Sequence, residues 1–227
     1  MIDLSVRSTT PEILDGSVLA AAEHARCMAD LARVNRLTLT HGPTLRFLAR
    51  AARGRNSLSV LDVACGNGDL LRRIRRWADQ RGLEASLAGI DLDPRSAEAA
   101  TPPGSRIAFR AGDVFVEAPD PPPDVIVTSQ FTHHLSDAQL VDFLRWIDRT
   151  ATLGWFIADL HRHRIAYYAF PLIARAARLH RIVRLDGVTS ISRSFRRADW
   201  QRALAAAGVA GKIRWHIPFR MCVSRLR

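Results

Sequence analysis

The stretch that decides the fold is "SLSVLDVACGNGDLL", residues 57–71. Its first half, "SLSVLDV", is a continuous apolar run of the kind that forms a strand buried on both faces. The run stops at Gly66 and Gly68, and a helical pattern follows in which the apolar residues share one face: Leu70, Leu71, Ile74, Trp77 and Ala78. The pattern predicts a strand, a tight turn and a packed helix, in which backbone amides can approach an anionic ligand at the start of the helix.

The alternation of short apolar runs and helical patterns continues to the end of the chain. "ASLAGIDLDP", "RIAFRAGDV", "PDVIVTSQF" and "TLGWFIADL" each contain a predicted strand, a short helix is expected up to Ala100, and a longer one over "SDAQLVDFLRWIDRT" with Ser136 as its N-cap. This order is typical of a parallel sheet with helices on both faces. "RADWQRALAAAGV" predicts a helix that ends at Gly208, and "KIRWHIPFRMCVSRL" predicts two antiparallel strands broken near Pro218.

Two segments do not follow this alternation. Residues 12–52 have a helical pattern with a break at "THGP", and residues 161–197 lie between a strand and the last helix. We therefore expect an N-terminal helical cap over residues 1–54 and a main domain over 55–227 with a lid-like insert at about 161–197. The insert contains "IAYYAFPLIARAARL", in which Pro171 is expected to break or kink any helix. A lid over a hydrophobic substrate and additional core packing are both compatible with its apolar side.

Composition excludes several classes of protein. The net charge is +11, but the arginines are spread along the chain, which favours compositional drift over a nucleic-acid surface. The only lysine, Lys212, lies in no phosphate-loop, kinase or Schiff-base context. Three distant cysteines lack the spacing of a zinc site or a disulfide framework. No apolar run reaches the ~20 residues of a membrane span, and no signal peptide is visible, so we expect a cytoplasmic protein.

The glycine turn is compatible with more than one cofactor. A dinucleotide site would place a third glycine where this chain has Leu71, which weakens that interpretation. The series "VLDVACGNGDLL", "GIDLDP", "AGDVF" and "PDVIVTSQFTHHL" resembles the class I S-adenosylmethionine-dependent methyltransferases over residues 58–160, with a fitting tail at 198–227. The resemblance implies a Rossmann-like α/β sheet that is mostly parallel with the last strand antiparallel, helices on both faces, and S-adenosylmethionine as cofactor.

The same resemblance implies the residues that hold this cofactor. Asp62, Ala64, Gly66 and Gly68 would surround its amino-acid part, and the family usually has glycine at the position of Ala64. Further along the chain, Asp91 would accept the ribose hydroxyls, Leu92 would lie against the adenine, Asp113 and the amide of Val114 would bind the adenine edge, and Ser129 and Gln130 would line the methyl-transfer point. A turn-forming role for Asp113 after Gly112 is the alternative.

His133 and His134 follow this strand end and are the candidate catalytic residues. A histidine base suits the hydroxyl of a phenol or enol. Because neighbouring residues of an extended chain point to opposite sides, we expect only one of the pair to face the acceptor. Related quinol methyltransferases often have a similar "HHL", so a structural role is an equal alternative. Asp159 or His161 is a reserve base or an orienting group, and we expect no metal, although Asp159, His161, His163 and His133 could form a ligand set.

The segments "DLHRHRIAYYAF" and "VRLDGVTSISRSFRRADW" resemble small bacterial methyltransferases of quinone biosynthesis, including ones that act on polyketides or phenols. This resemblance implies a hydrophobic aromatic, quinol or polyketide acceptor, methylated on oxygen rather than carbon. We expect a small-molecule partner and no nucleic acid, while weak membrane association through residues 165–173 stays open and the oligomeric state is not predicted. An RNA methyltransferase and a non-catalytic cofactor-binding subunit are the alternative functions.

Overall fold

The strands of the computed structural model, which describes residues 3–16, 19–96, 106–116 and 119–227, form one sheet. They are β1 (Ser57–Val63), β2 (Glu84–Asp91), β3 (Ile107–Ala111), β4 (Val125–Ser129), β5 (Gly154–Leu160), β6 (Lys212–His216) and β7 (Arg220–Leu226). Their order in the sheet is β3-β2-β1-β4-β5-β7-β6. The first five strands pair in parallel, and β7 is antiparallel to both β5 and β6. The predicted α/β fold class is therefore confirmed.

Two of the helices begin or end at the residue predicted from sequence. The helices are α1 (Ile13–Gly16), α2 (Ala21–Leu37), α3 (Gly42–Ala51), α4 (Asp69–Asp79), α5 (Asp137–Thr150), α6 (Arg164–Ala176), α7 (Arg181–Arg193) and α8 (Arg197–Ala207). α5 begins with a capping box in which Ser136 Oγ accepts from Gln139 N at 3.2 Å and Gln139 Oε1 accepts from Ser136 N at 2.9 Å. α8 ends at Gly208, whose φ of 68° closes the helix in the left-handed region. The short helix expected up to Ala100 lies partly outside the described residues.

The sheet is buried between two apolar cores. On one face lie Phe47 and Leu48 of α3 with Leu71, Ile74 and Trp77 of α4. On the other face lie Phe143, Leu144 and Ile147 of α5 with Trp200 of α8. Side chains of a strand alternate between faces, so Leu58 and Val60 enter the first core and Leu61 and Val63 the second. Both faces are therefore covered, and the carboxyl edge of the parallel strands is left for a ligand.

A third apolar cluster joins the two segments that lie outside the alternation. Cys27 of α2 packs with Ala174 of α6, with Val183 of α7 and with Leu179, which lies between these two helices; Leu14, Leu31 and Phe170 pack against them. We call α1, α2, α6 and α7 together the helical layer. The N-terminal segment and the insert share this core, while α3 packs on the sheet. The division at residues 54 and 55 stays a prediction.

Pro171 does not break α6, although a break was one of the two outcomes expected from sequence; a kink at this residue stays a prediction. The helix runs from Arg164 to Ala176 with the proline inside it. Proline removes one backbone hydrogen bond, but Phe170 and Ala174 on either side of it are held in the apolar cluster. Phe170 also fills the space above Gly187 of α7, where an added Cβ would lie 2.1 Å from its ring. Within the described ranges, no helix combines the length and the apolarity needed to cross a membrane.

Candidate active site

A cavity of about 820 Å³ lies at the carboxyl ends of the parallel strands. The sheet contributes most of the residues predicted from sequence, namely Asp62, Ala64, Gly66, Asp91, Leu92, Asp113, Val114, Ser129, Gln130, His133 and His134. The helical layer contributes the opposite wall, with Glu12, Leu14, Asp15, Met28 and Leu31. Gly68, Asp159 and His161 do not line the cavity. Its volume lies in the range of about 300–1,000 Å³ that is usual for small-molecule sites.

The turn after β1 has three left-handed residues within five positions. The φ angles are 56° at Ala64, 51° at Gly66 and 76° at Gly68. Gly68 is the N-cap of α4, so its role is to turn the chain into the helix. An added Cβ at Gly66 would meet no atom within 4 Å, so the turn is open at this residue. Ala64 has the conformation that the family usually assigns to glycine, at a steric cost that alanine can bear.

Three residues that line the cavity have a buried polar atom without a partner among the described residues. The atoms are Oδ1 of Asp62, Oγ of Ser129 and Nδ1 of His41. Burial, reinforced by the charge of Asp91, raises the pKa of Asp62 well above its usual value. Because buried polar groups are normally hydrogen-bonded, these atoms call for a polar ligand in the cavity. The amino-acid part of S-adenosylmethionine, with its ammonium group, fits that requirement.

Asp91 lies at the end of β2, next to the glycine turn. Its Oδ2 accepts from the amide of Gly66 at 2.7 Å, and its Oδ1 accepts from the amide of Asp93 at 3.0 Å. Each oxygen keeps acceptor capacity for a ribose hydroxyl. Burial raises the pKa of Asp91 despite these two hydrogen bonds. The carboxylate is therefore fixed in place before a ligand binds.

The remaining predicted cofactor residues surround the same end of the cavity. Leu92 is 74% exposed, so its side chain is free to cover an adenine ring. Asp113 Oδ1 accepts from the amide of Phe115 at 2.9 Å, which is the turn-forming role weighed as the alternative. Gln130, with a φ of 57°, donates through Nε2 to Asn35 Oδ1 at 2.6 Å. This bond ties the end of β4 to α2, so Gln130 links the sheet to the helical layer.

His133 and His134 both line the cavity. Residues Thr132–His134 form a turn of 3-10 helix, not an extended chain. Their ring centroids are 4.3 Å apart with an interplanar angle of 35°. The rule of opposite directions holds for strands, and β4 ends at Ser129, so it does not apply to this pair. That only one of the two histidines faces the acceptor stays a prediction.

His133 is buried between two carboxylates. Its Nδ1 lies 2.7 Å from Asp159 Oδ1, and its Nε2 lies 3.3 Å from Glu12 Oε1. Burial alone would lower the pKa of His133, but the charges and hydrogen bonds of Asp159 and Glu12 outweigh burial and raise it to about 9. The imidazole is therefore protonated at neutral pH, with both nitrogens facing carboxylates. In this arrangement His133 has no free nitrogen to act as a base.

Asp159 holds the turn Thr132–His134 in place through hydrogen bonds. It accepts from the amide of His133 at 2.9 Å and the amide of Leu160 at 2.7 Å, and from the hydroxyl of Thr132. Burial would raise the pKa of Asp159, but the charge of His133 and these hydrogen bonds lower it to about 2. Asp159 is therefore a positioning residue, one of the two roles considered for it from sequence.

His134 is held differently. Its Nδ1 lies 2.9 Å from Asp15 Oδ2, and its Nε2 lies 3.9 Å from Glu12 Oε1. Burial opposes it, but the hydrogen bond and charge of His134, with Arg193 nearby, lower the pKa of Asp15. In the tautomer of His134 that carries its hydrogen on Nδ1, this hydrogen is donated to Asp15, and Nε2 is an acceptor at the cavity. The side chain is 27% exposed, unlike that of His133.

Several residues of this wall were missed by the sequence analysis. Arg193 of α7 donates to the carbonyl oxygens of His133 and His134, both at 3.1 Å, and to that of Thr10 at 2.9 Å. Ser190 Oγ donates to Glu12 Oε1 at 2.8 Å. Glu12 and Asp15 lie three positions apart in "PEILDG", which carries no recognisable motif. Only the packing of α1 on α7 brings these residues to the histidines.

His161 lies outside this arrangement. It forms a single bridge with Phe195, and its Nδ1 is buried without a partner in the described part of the chain. Burial, with the nearby charges of His163 and Arg196, lowers its pKa to about 4. His163 caps α6 by accepting from the amide of Ile165 at 3.2 Å. Asp159 contacts His133, but His161 and His163 do not join them in one group. The described residues show a different group, formed by Glu12, His133 and His134.

Comparison with known proteins agrees with this geometry. The chain matches the family described as "Methyltransferase domain" over residues 35–210. Among curated proteins, none matches the sequence. The solved structures with a similar fold include the plantazolicin methyltransferase BpumL with SAH, at 15% identity and a TM-score of 0.65, covering 88% of this chain and 89% of that one.

Two other similar structures bind the same cofactor or its product. Human N-acetylserotonin methyltransferase with SAM has 15% identity and a TM-score of 0.61, covering 92% of this chain and 56% of that one. Magnesium protoporphyrin IX methyltransferase from Synechocystis PCC 6803 with SAH has 14% identity and a TM-score of 0.58, covering 94% and 90%. The family match, the sheet order and the unpartnered polar atoms lead to one conclusion: the chain belongs to the methyltransferase-domain family and is a class I S-adenosylmethionine-dependent methyltransferase.

Proposed function

We propose that this enzyme methylates a hydroxyl oxygen of an apolar aromatic, quinol or polyketide-type small molecule. The observation that carries the proposal is the pair of His134 and Asp15 at the cavity. Asp15 holds Nδ1 of His134 at 2.9 Å, which leaves Nε2 as a proton acceptor beside the strand end at Ser129. A carbon acceptor that is already activated would not need such a base, whereas a phenol or enol hydroxyl does.

The apolar nature of the acceptor follows from the opposite wall. Leu14, Met28 and Leu31 of the helical layer line the cavity together with Phe131. These side chains offer an apolar surface with few polar groups, as sites for hydrophobic small molecules do. Polar groups are concentrated at the histidines, so a flat apolar molecule with one hydroxyl at that end is the complementary ligand.

Different residues of the chain have different roles in the reaction. When bound, S-adenosylmethionine supplies a sulfonium methyl group, whose transfer breaks the sulfur–carbon bond and forms an oxygen–carbon bond. Asp62, Asp91 and Ser129 hold this cofactor through acceptor oxygens on the sheet side of the cavity. His134 takes the hydroxyl proton on Nε2, while Asp15 fixes the ring and stabilises the imidazolium that results. The helical layer excludes water and holds the acceptor in line.

The test uses a panel of phenols, quinols and pyrones with an isotope-labelled methyl donor, each paired with the analogue that lacks the hydroxyl. We expect O-methyl products from the hydroxylated members only. His134→Ala should lower kcat by about 10²–10⁴-fold, the usual contribution of a general base, with the cofactor Kd unchanged. His216→Asn, a histidine on the edge strand β6, is the matched control. Methylation on carbon, or full activity of His134→Ala, would refute the proposal.

A further inference from the structure

The side chains of Glu12, His133 and His134 form a group that the methyl transfer described above does not fully use. We call it the His-Glu cluster. Glu12 Oε1 lies 3.3 Å from His133 Nε2 and 3.9 Å from His134 Nε2, and the three donor atoms all lie within 4.8 Å of one another. All three residues line the cavity. Two imidazole nitrogens and one carboxylate oxygen are a donor set that binds zinc and iron(II) in proteins.

The second nitrogen of each histidine supports this interpretation. His133 Nδ1 lies 2.7 Å from Asp159 Oδ1, and His134 Nδ1 lies 2.9 Å from Asp15 Oδ2. A histidine that binds a metal usually donates its other N–H to a carboxylate or carbonyl, which fixes the ring and its tautomer. Both histidines have such a carboxylate, and the two rings consequently turn their Nε2 atoms toward Glu12.

The spacing and the charge also fit a divalent ion. Ligand bonds of about 2.0–2.2 Å at tetrahedral or octahedral angles place donor atoms about 3.0–3.5 Å apart. The 3.3 Å separation already lies in this range, and the 3.9 Å separation needs a shift of a few tenths of an ångström. The three carboxylates of Glu12, Asp15 and Asp159 lie beside the two imidazoles, and their negative charge favours a bound cation. Ser190 holds Glu12 through a 2.8 Å hydrogen bond to the same oxygen, so the carboxylate is kept in position.

We propose that Glu12, His133 and His134 bind a divalent transition-metal ion of the zinc and iron(II) class, with its remaining coordination positions facing the cavity. The hydrogen that lies between His133 and Glu12 leaves as a proton when the ion binds. This metal site rests on the proposed function only in one respect, namely that the acceptor carries a hydroxyl group. With the ion bound, Nε2 of His134 would be a ligand, the acceptor hydroxyl oxygen would bind the ion, and the hydroxyl proton would pass to solvent water. The base role proposed above for His134 belongs to the metal-free enzyme.

Metal binding is measured on the full chain without cofactor or acceptor. Chelator-treated protein is dialysed against Zn²⁺ and the bound metal is counted by mass spectrometry, while Co²⁺ is used as a spectroscopic probe and Mg²⁺ as a hard-ion control. We expect one Zn²⁺ per chain, a visible Co²⁺ absorption band and no Mg²⁺. Glu12→Gln and His134→Ala should each weaken Zn²⁺ binding by about 100-fold or more, because changes of outer-shell residues alone cost about 10–100-fold.

The controls keep this test independent of folding and of the methyl transfer. Glu84→Gln, at the exposed start of β2, and His216→Asn should bind Zn²⁺ as the unchanged protein does. Glu12→Gln keeps the size of the side chain, and His134 is partly exposed, so both variants should fold, which circular dichroism checks. Absence of stoichiometric Zn²⁺, or equal binding by the cluster variants, overturns the metal site. If the metal site is overturned but chelated protein methylates phenols, the proposed function stands. If Zn²⁺ binds but no hydroxyl is methylated, the metal site is supported and the proposed function is refuted.

Discussion

Replacing Asp159 by alanine should be among the most destabilising single changes in the chain. The side chain of Asp159 is 0% exposed and that of His133 is 2% exposed. Alanine would leave the hydroxyl of Thr132, two N–H groups of His133 and the amide of Leu160 without their acceptor. Breaking one side of a buried ion pair costs about 3–5 kcal/mol. For a chain of this length, that loss lowers Tm by about 6–20 °C.

Urea denaturation followed by tryptophan fluorescence measures this loss, since Trp155 and Trp200 are buried. Asp142→Ala, on an exposed side chain of α5, is the control and should change the free energy of unfolding by less than about 0.5 kcal/mol. The double variant with His133→Ala removes both charges, so its loss should be about 1–3 kcal/mol smaller than the sum of the single losses. An Asp159→Ala loss below about 1 kcal/mol, or full additivity in the double variant, would refute the reasoning.

Three further predictions concern the turn, the pH dependence and the support of the histidines. Ala64→Gly relieves a left-handed alanine and should raise the free energy of unfolding by up to about 1 kcal/mol, while Ala64→Val should lower it; thermal unfolding decides. In the folded chain the pKa of His161 is lowered to about 4, whereas in the unfolded chain it has the ordinary histidine value near 6.5. Between these two pH values the unfolded chain therefore binds more protons than the folded chain. Stability should therefore fall as pH decreases from about 6.5 to 4, and denaturation curves of His161→Gln should show a shallower fall. Arg193→Lys cannot reach all three carbonyl oxygens, so kcat should drop by about 10-fold or more while the cofactor Kd, from calorimetry, is unchanged.

The sheet and the cofactor side of the cavity could be predicted because local patterns specify them. The apolar run before Gly66 determines a buried strand, and acidic residues at strand ends must meet at one edge of a parallel sheet. Ser136 and Gly208 likewise mark helix ends through their own chemistry. These signals depend on residues close together in the chain.

The acceptor side could not be predicted in the same way. Glu12 reaches His133 across 121 positions of sequence, and Arg193 reaches it across 60. No local pattern encodes such pairings, because they depend on how α1 and α7 pack on each other. The local conformation of the two histidines also differs from the extended chain assumed from sequence, since a 3-10 turn follows β4.

The shared core of the helical layer has a consequence for engineering. Cys27 from the N-terminal segment packs on Ala174, Leu179 and Val183 of the insert, although about 150 residues separate them. The wall proposed to bind the acceptor is therefore supported by two distant parts of the chain that share one apolar core. A chimera that transplants residues 3–37 without residues 164–193 would pair mismatched halves and misplace Glu12 and Asp15. Under the proposed function, we expect a new acceptor specificity only when both halves are exchanged together over an unchanged sheet.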